Sequence, residues 1–246
     1  MKTKIVTIWN VKGGVGKTTC TFNLAAELSR RGKRVLCVDL DFQGNLSSFW
    51  DDEIIKNPGK KDILDVLEEQ VEIFDNSYTA KSMGVDLIRA PRAPRTPRNL
   101  SQDAIRKVLA KSKNYDLVFI DTHPSAGILE KSALFAADYV LIPIYLDKFS
   151  RDNLNLAVDT LAEIGVKKVG VFANRLRNQR VQRMVLDDLI SRHDYPILEN
   201  CISDRTAIPS AARLGKPVYA HRSKSPAATD FSDLADEIIS KLQEGK

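Results

Sequence analysis

Nine consecutive residues, Val11-Lys12-Gly13-Gly14-Val15-Gly16-Lys17-Thr18-Thr19, have the types and spacing to hold the phosphates of a nucleotide. Gly13, Gly14 and Gly16 let the backbone curl so that successive N–H groups face anionic oxygens, and the helix that the loop opens adds its positive end. Lys17 can reach the β- and γ-phosphates, and the Thr18 hydroxyl can ligate Mg²⁺. A strict phosphate-loop pattern has glycine at position 11, and Val11 breaks it. The context, after an apolar strand and before a helix, supports the reading all the same. Lys12 is a second lysine inside the loop. A loop of this kind needs carboxylates nearby, and two segments supply them. Val35-Leu36-Cys37-Val38-Asp39-Leu40-Asp41 ends a strand with two acids on one side of Leu40, and Leu117-Val118-Phe119-Ile120-Asp121 ends another with one. Acids at the carboxyl ends of parallel strands sit where such sheets bind ligands.

The elements that must position these residues alternate along the chain. Strands are expected at Lys4–Trp9, Arg34–Val38, Leu117–Asp121, Tyr139–Ile144 and Val166–Ala173, several almost wholly apolar, as strands covered on both faces are. Helical patterns lie at Thr18–Arg31, Asn153–Ile164 and Val181–Ile190. A last stripe of Phe231, Leu234, Ala235, Ile238, Ile239 and Leu242 makes a C-terminal helix. This alternation predicts an α/β fold with a doubly wound, mostly parallel sheet and helices on both faces. Residues 1–246 are expected to form one domain. Pro91, Pro94 and Pro97 mark an irregular basic segment within it.

With 43% apolar and 28% charged residues, the 246-residue chain has ordinary globular composition, which excludes disordered and collagen-like classes. No apolar run approaches the roughly 20 residues that cross a bilayer, and the first eight residues do not resemble a secretory signal. Cys20, Cys37 and Cys201 have neither disulfide nor zinc spacing, so a cytoplasmic location is expected. The net charge of +5 is unevenly spread: Arg89–Lys113 carries +7 and Arg175–Lys224 carries +5. Clusters of this sign suit either a phosphate-backbone partner or a plain solvated face.

The phosphate loop, with Lys12 in it, resembles the deviant phosphate loop of the family that includes the partitioning ATPases ParA and Soj, the division-site ATPase MinD and the nitrogenase iron protein. The segment Asp39-Leu40-Asp41-Phe42-Gln43-Gly44-Asn45 stands where that family has D-x-D-P-Q-x-N, and Asp121-Thr122-His123-Pro124-Ser125 where it has D-x-P-P-S. Phe42 and His123 each replace a proline of the pattern. Further matches are Ala136–Pro143, Val171-Phe172-Ala173-Asn174-Arg175 and the late segment from Ser203-Asp204-Arg205 to Gly215-Lys216-Pro217-Val218. The resemblance is weakest between Trp50 and Arg98. It implies ATP and Mg²⁺ as cofactors and Lys12, Lys17 and Asp41 as catalytic residues. Lys12 would reach across a dimer interface to the partner's nucleotide. Asp39 and Asp121 would hold Mg²⁺ through water, with Thr18 as a direct ligand, and Asp41 would orient the attacking water. Asn174 would read the base, with Arg175 and Arg205 beside the nucleotide.

Among branches of that family, the iron-protein branch needs cluster-bridging cysteines at a dimer axis, and this chain has none so arranged. MinD-like members end in a basic membrane-binding helix, whereas the last helix here is acidic, so no membrane is expected. The partitioning branch remains. It implies a weak ATPase that forms an ATP-bound homodimer, associates with nucleoid DNA without sequence preference, and is stimulated by a ParB-like centromere-binding protein. Arg177, Arg180, Arg213, Lys216, Arg222 and Lys224 are the candidate DNA contacts. With the phosphate loop starting ten residues in, no N-terminal helix-turn-helix is expected. Two alternatives stay open: a MinD-like or protein-cargo positioning ATPase, and a nucleotide-gated binding module with negligible turnover.

Overall fold

A computed structural model describes the chain except for residues 1, 2, 96, 98, 99, 112, 113, 178, 193, 245 and 246. Arg98 and Lys113 of the first basic cluster therefore lie outside the described residues. The elements run β1 (Lys4–Ile8), α1 (Lys17–Arg30) and β2 (Val35–Asp39), followed by a 3₁₀ turn at Ser47–Trp50. Next come α2 (Asp51–Lys56), α3 (Ile63–Glu69), α4 (Ile73–Asn76), β3 (Tyr78–Ala80), β4 (Val85–Ile88) and α5 (Ala104–Ala110). The second half adds β5 (Leu117–Asp121), α6 (Ile128–Ala136), β6 (Tyr139–Ile144), α7 (Ser150–Ile164), β7 (Val169–Leu176) and α8 (Arg180–Ser191). It ends with β8 (Ile202–Ser203), α9 (Ala207–Arg213), α10 (Val218–His221) and α11 (Pro226–Gln243).

The described strands form one sheet in the order β3-β4-β2-β5-β1-β6-β7-β8. Every neighbouring pair is parallel except β3–β4 at the edge. From β1 the chain winds outward first to β2 on one side and later to β6 on the other. The carboxyl end of β1 is thus a switch point, where a crevice opens for a ligand, and the phosphate loop follows it directly.

The apolar runs are explained by burial on both faces. In β5, Leu117 and Phe119 face the core shared with α1 and α11, while Val118 and Ile120 face α3, α5 and α6. Beyond β1, Val140, Ile142 and Val171 pack under α7 and α8. The C-terminal stripe is buried as expected, with Phe231, Leu234, Ala235, Ile238 and Leu242 in the same core as Phe22 and Leu24 of α1.

Two sequence expectations change. The strand expected at Val166–Ala173 starts at Val169 and continues to Leu176. Gly165, at φ 81, closes α7 in the left-handed region that favours glycine, and residues 166–168 are spent returning from that cap. The elements β3, β4, β8, α2–α6, α9 and α10 are not among the sequence expectations; all but α6 are seven residues or shorter, too brief for periodicity to register.

Candidate nucleotide-phosphate site

Gly14 and Gly16 take φ values of 74 and 93, the left-handed region that a side chain resists. Gly16 is the N-cap of α1, and a β-carbon there would overlap Asn174 Nδ2. Asn174 itself donates to the Val15 carbonyl at 2.6 Å, so β7 braces the loop from the side. Asn10 holds the loop from below, donating to Pro143 O at 2.9 Å and accepting from Lys12 N at 2.9 Å. The Lys17 ammonium is buried, and it donates to the carbonyls of Asn10 at 3.1 Å and Lys12 at 3.3 Å. Burial lowers its pKa, and the charges of Asp121, Asp41 and Glu130 oppose that shift. A buried cation so close to several acids at a helix start is ready-made for phosphate oxygens.

Asp39 and Asp121 are register partners at the ends of β2 and β5, and both are 0% exposed. Asp39 accepts from Ser47 N and Ser47 Oγ, both at 2.8 Å, and from Asp41 N at 3.1 Å. Asp121 accepts from Thr18 and, at 3.4 Å, from Thr21 Oγ1, while its Oδ2 is buried without a hydrogen-bond partner. Burial drives both carboxyl groups above the ordinary carboxylate range, and for Asp121 the neighbouring charge of Asp39 adds to the rise. Two buried acids with an orphaned oxygen call for a cation, and hard oxygen donors beside a phosphate loop suit Mg²⁺. Among the described residues no three His, Cys, Asp or Glu side chains converge as a cage. The fit is therefore to an ion that keeps waters and phosphate oxygens in its shell, held by Thr18, Asp39 and Asp121.

Asp41 is buried and closes a tight turn, accepting from Gln43 N with Oδ1 at 2.9 Å and from Gly44 N with its carbonyl at 2.8 Å. The two acid loops are joined at their roots by Leu40 N donating to Asp121 O at 2.9 Å. The two residues that depart from the family pattern meet: the rings of Phe42 and His123 stack with centroids 5.2 Å apart.

Lys12 does not point into its own loop. Its ammonium pairs with Asp147 Oδ2 at 2.5 Å, just before α7. Burial would raise the Asp147 pKa, but the Lys12 partner and the Phe149 N–H outweigh it, and the net shift is downward. The sequence reading missed Asp147. It lies three residues past the carboxyl end of β6, beyond the terminal strand position that marked Asp39 and Asp121. Ser47, which supplies two hydrogen bonds to Asp39, carried no sequence signal.

On the far side, Arg175 has a φ of 56, unusual for a residue with a side chain, and its guanidinium lies over the Tyr145 ring. β8 pairs with the end of β7, so Arg205, two residues beyond β8, is on the Asn174 side of the sheet. The exposed side chains of Arg180, Arg205, Arg213, Lys216, Arg222 and Lys224 make no ion pair among the described residues. Arg177 differs: it is bound to Asp204. The first basic cluster is partly spent internally, with Arg95 on Asp62 and Asp65 and Lys107 on Asp103.

A family model described as an AAA domain matches residues 3–176. The chain is 30% identical over 258 residues to the chromosome-partitioning ATPase Soj of Thermus thermophilus, covering 99% of this chain and 98% of that one. It superposes with a TM-score of 0.82 on cobyrinic acid a,c-diamide synthase of Mycobacterium smegmatis, solved with an ATP analogue and magnesium. That pair is 26% identical, over 99% of this chain and 97% of the other. The MinD cell division protein of Aquifex aeolicus gives a TM-score of 0.79 at 25% identity, over 96% of this chain and 97% of that one.

Proposed function

The chain belongs to the AAA-domain family, and within it to the ParA/MinD-type P-loop ATPases; from that premise we propose that it is a partitioning ATPase, a single domain that binds ATP with Mg²⁺, dimerises on it and hydrolyses it slowly. The observation that carries the nucleotide half is the buried group of Lys17, Asp39 and Asp121 beside the part-buried Thr18, with the Asp121 Oδ2 orphaned at the phosphate loop. Bound there, Mg²⁺ neutralises charge on the β- and γ-phosphates.

The chain's own residues divide the remaining work. The loop N–H groups and Lys17 hold the triphosphate and take up the charge that develops on it. Asp41, held by the Gln43 N–H on one oxygen, turns the other to an attacking water and orients it. Lys12 leaves Asp147 and reaches the nucleotide of the second subunit, so that dimerisation and catalysis need the same side chain. Asn174 and Arg175 face the base, and Arg205 closes that side.

The DNA half rests on the unpaired cations Arg213, Lys216, Arg222 and Lys224 together with Arg180. A dimer doubles them on one molecule, and each phosphate neutralised adds about 0.9 to the log–log salt slope. Binding to duplex DNA then switches with ATP and is indifferent to sequence. A ParB-like partner accelerates hydrolysis and resets the cycle in the cytoplasm, over the nucleoid. The likeness to MinD raises a membrane-bound alternative. The acids Asp230, Asp233, Asp236 and Glu237 on α11, with its apolar stripe buried, argue against it. No described helix is long and apolar enough to cross a membrane.

The test is ATP turnover with Mg²⁺, with and without random-sequence duplex DNA, beside light scattering for dimers. Slow turnover and ATP-dependent dimers support the proposal. ATP binding without either favours a nucleotide-gated binding module, and dimers indifferent to DNA favour a protein cargo.

A further inference from the structure

The Asp41 turn is held mostly by its own backbone, with Ser48 N donating to the Gly44 carbonyl at 2.9 Å from outside it. Its Gly44 and Gln43 N–H groups bond back to Asp41, and Asp41 N donates to Asp39. These three bonds lie within residues 39–44. Phe42, the residue after Asp41, is 38% exposed and belongs to none of the buried apolar clusters. Its ring is nevertheless engaged, stacked on His123 with the planes 27° apart.

His123 stands on a loop that is tied down. Thr122 Oγ1 donates to Ile8 O at 2.9 Å, and the wholly buried Trp9 donates through Nε1 to Ser125 O at 2.9 Å. Ser125 N in turn donates to the His123 carbonyl at 2.8 Å, and Pro124 borders Gly13 of the phosphate loop. A chain of contacts therefore runs from β1 and the phosphate loop, through Ser125 and His123, to Phe42 and so to Asp41. Past their shared root at Leu40 and Asp121, the ring stack joins the two acid loops near their tips.

We propose that the Phe42–His123 stack is a strap that positions Asp41 against the phosphate loop for the hydrolytic step. The inference rests on the ATPase reading above and adds a positioning pair to it. The strap acts through ring contact and not through imidazole chemistry, because the two faces meet in the offset stacking that aromatic rings favour. It bears on turnover and not on ATP affinity, since neither ring belongs to the loop that grips the phosphates.

The experiment is a double-mutant cycle of Phe42→Ala and His123→Ala, with His123→Phe as the ring-preserving control. Saturated ATP turnover, ATP affinity and amide exchange of Gln43 and Gly44 in the nucleotide-free protein are read together. The expected result is a loss of turnover of about threefold to tenfold in each single variant. ATP affinity is unchanged, the double variant is no worse than the singles, and turnover is restored in His123→Phe. Exchange of the Gln43 and Gly44 amides quickens equally in both singles and no further in the double. Losses that multiply in the double, affinity that falls in step with turnover, or a His123→Phe as slow as His123→Ala overturns the strap. So does amide exchange that no variant changes. Should Phe42→Ala fail to fold, Phe42→Leu keeps apolar bulk without the ring and serves the same cycle. Should wild-type protein turn over no ATP, the ATPase reading fails, and the amide exchange still decides the strap.

Discussion

Lys12 Nζ lies 2.5 Å from Asp147 Oδ2, so the lysine expected to serve a second subunit is held by an acid of its own chain. The pair is about a third exposed on each side, at 32% and 28%, and such pairs are worth up to about 1 kcal/mol. That is enough to bias the lysine and too little to trap it. Asp147→Asn should therefore lower the protein concentration at which ATP-dependent dimers form, by up to about fivefold for each of the two subunits. Lys12→Ala should keep monomeric ATP binding and lose the dimer. Light scattering across a concentration series measures both. A dimer that forms undiminished in Lys12→Ala contradicts a role in trans.

Gly16→Ala should be severe for two reasons that act together. The backbone there is left-handed at φ 93, which costs a side chain about 1–2 kcal/mol. The added carbon would also drive Asn174 off the Val15 carbonyl. The expected outcome is a folded but less stable protein with ATP binding weakened at least about tenfold, seen by thermal melting and by nucleotide titration. Gly14→Ala, with open space around its β-carbon, should carry only the backbone part of the cost.

The buried pair Asp39 and Asp121 makes a prediction for pH. Both have folded pKa values raised above the unfolded ones by burial. Above about pH 4, the ordinary carboxylate range, the folded state holds the more protons, so stability falls as pH rises. Melting temperature of the nucleotide-free protein should therefore drop from pH 5 toward pH 8 by more than in Asp121→Asn. Adding Mg²⁺ with nucleotide should shrink the drop, because a cation replaces the protons. A wild-type profile that matches Asp121→Asn would show that the pair is not protonated in this way.

The centre of the sheet and the phosphate loop were legible in the sequence, because β1, β2, β5 and β6 are apolar runs buried on both faces, with Asp39 and Asp121 closing β2 and β5. Lys17, Thr18, Asp39, Asp41 and Asp121 converge as local spacing suggested. Asp147 and Ser47 escaped notice because their roles are set by register and return loops, not by neighbours in sequence. The segment from Trp50 to Arg98 was unreadable for a different reason. Its helices and strands run from three to seven residues, so neither period could show. Charge was the least readable feature: Arg95 and Arg177 count as basic clusters in the sequence, yet each is ion-paired in the fold.

Arg213, Lys216 and Arg222 are exposed and free of ion pairs among the described residues. Replacing all three by alanine should weaken DNA binding alike on every sequence. The log–log salt slope should drop by up to about 2.7 per subunit, with ATP-driven dimerisation intact. Arg177→Ala should matter less, since Asp204 already holds that guanidinium. Equal losses from Arg177→Ala and from the triple variant would point to a surface defined otherwise.

Retention of the Asp41→Ala protein on random-sequence duplex DNA, measured against salt with ATP and Mg²⁺ and again with ADP, tests the partitioning switch most directly. Asp41 is the proposed water-orienting residue, so its loss should leave ATP binding and dimerisation intact and slow hydrolysis strongly. The expected result is ATP-dependent, salt-sensitive retention that outlasts that of the wild type, with little retention in ADP. Retention that is the same in ATP and ADP, or absent in both while ATP-driven dimers form, contradicts a DNA-binding switch worked by this site.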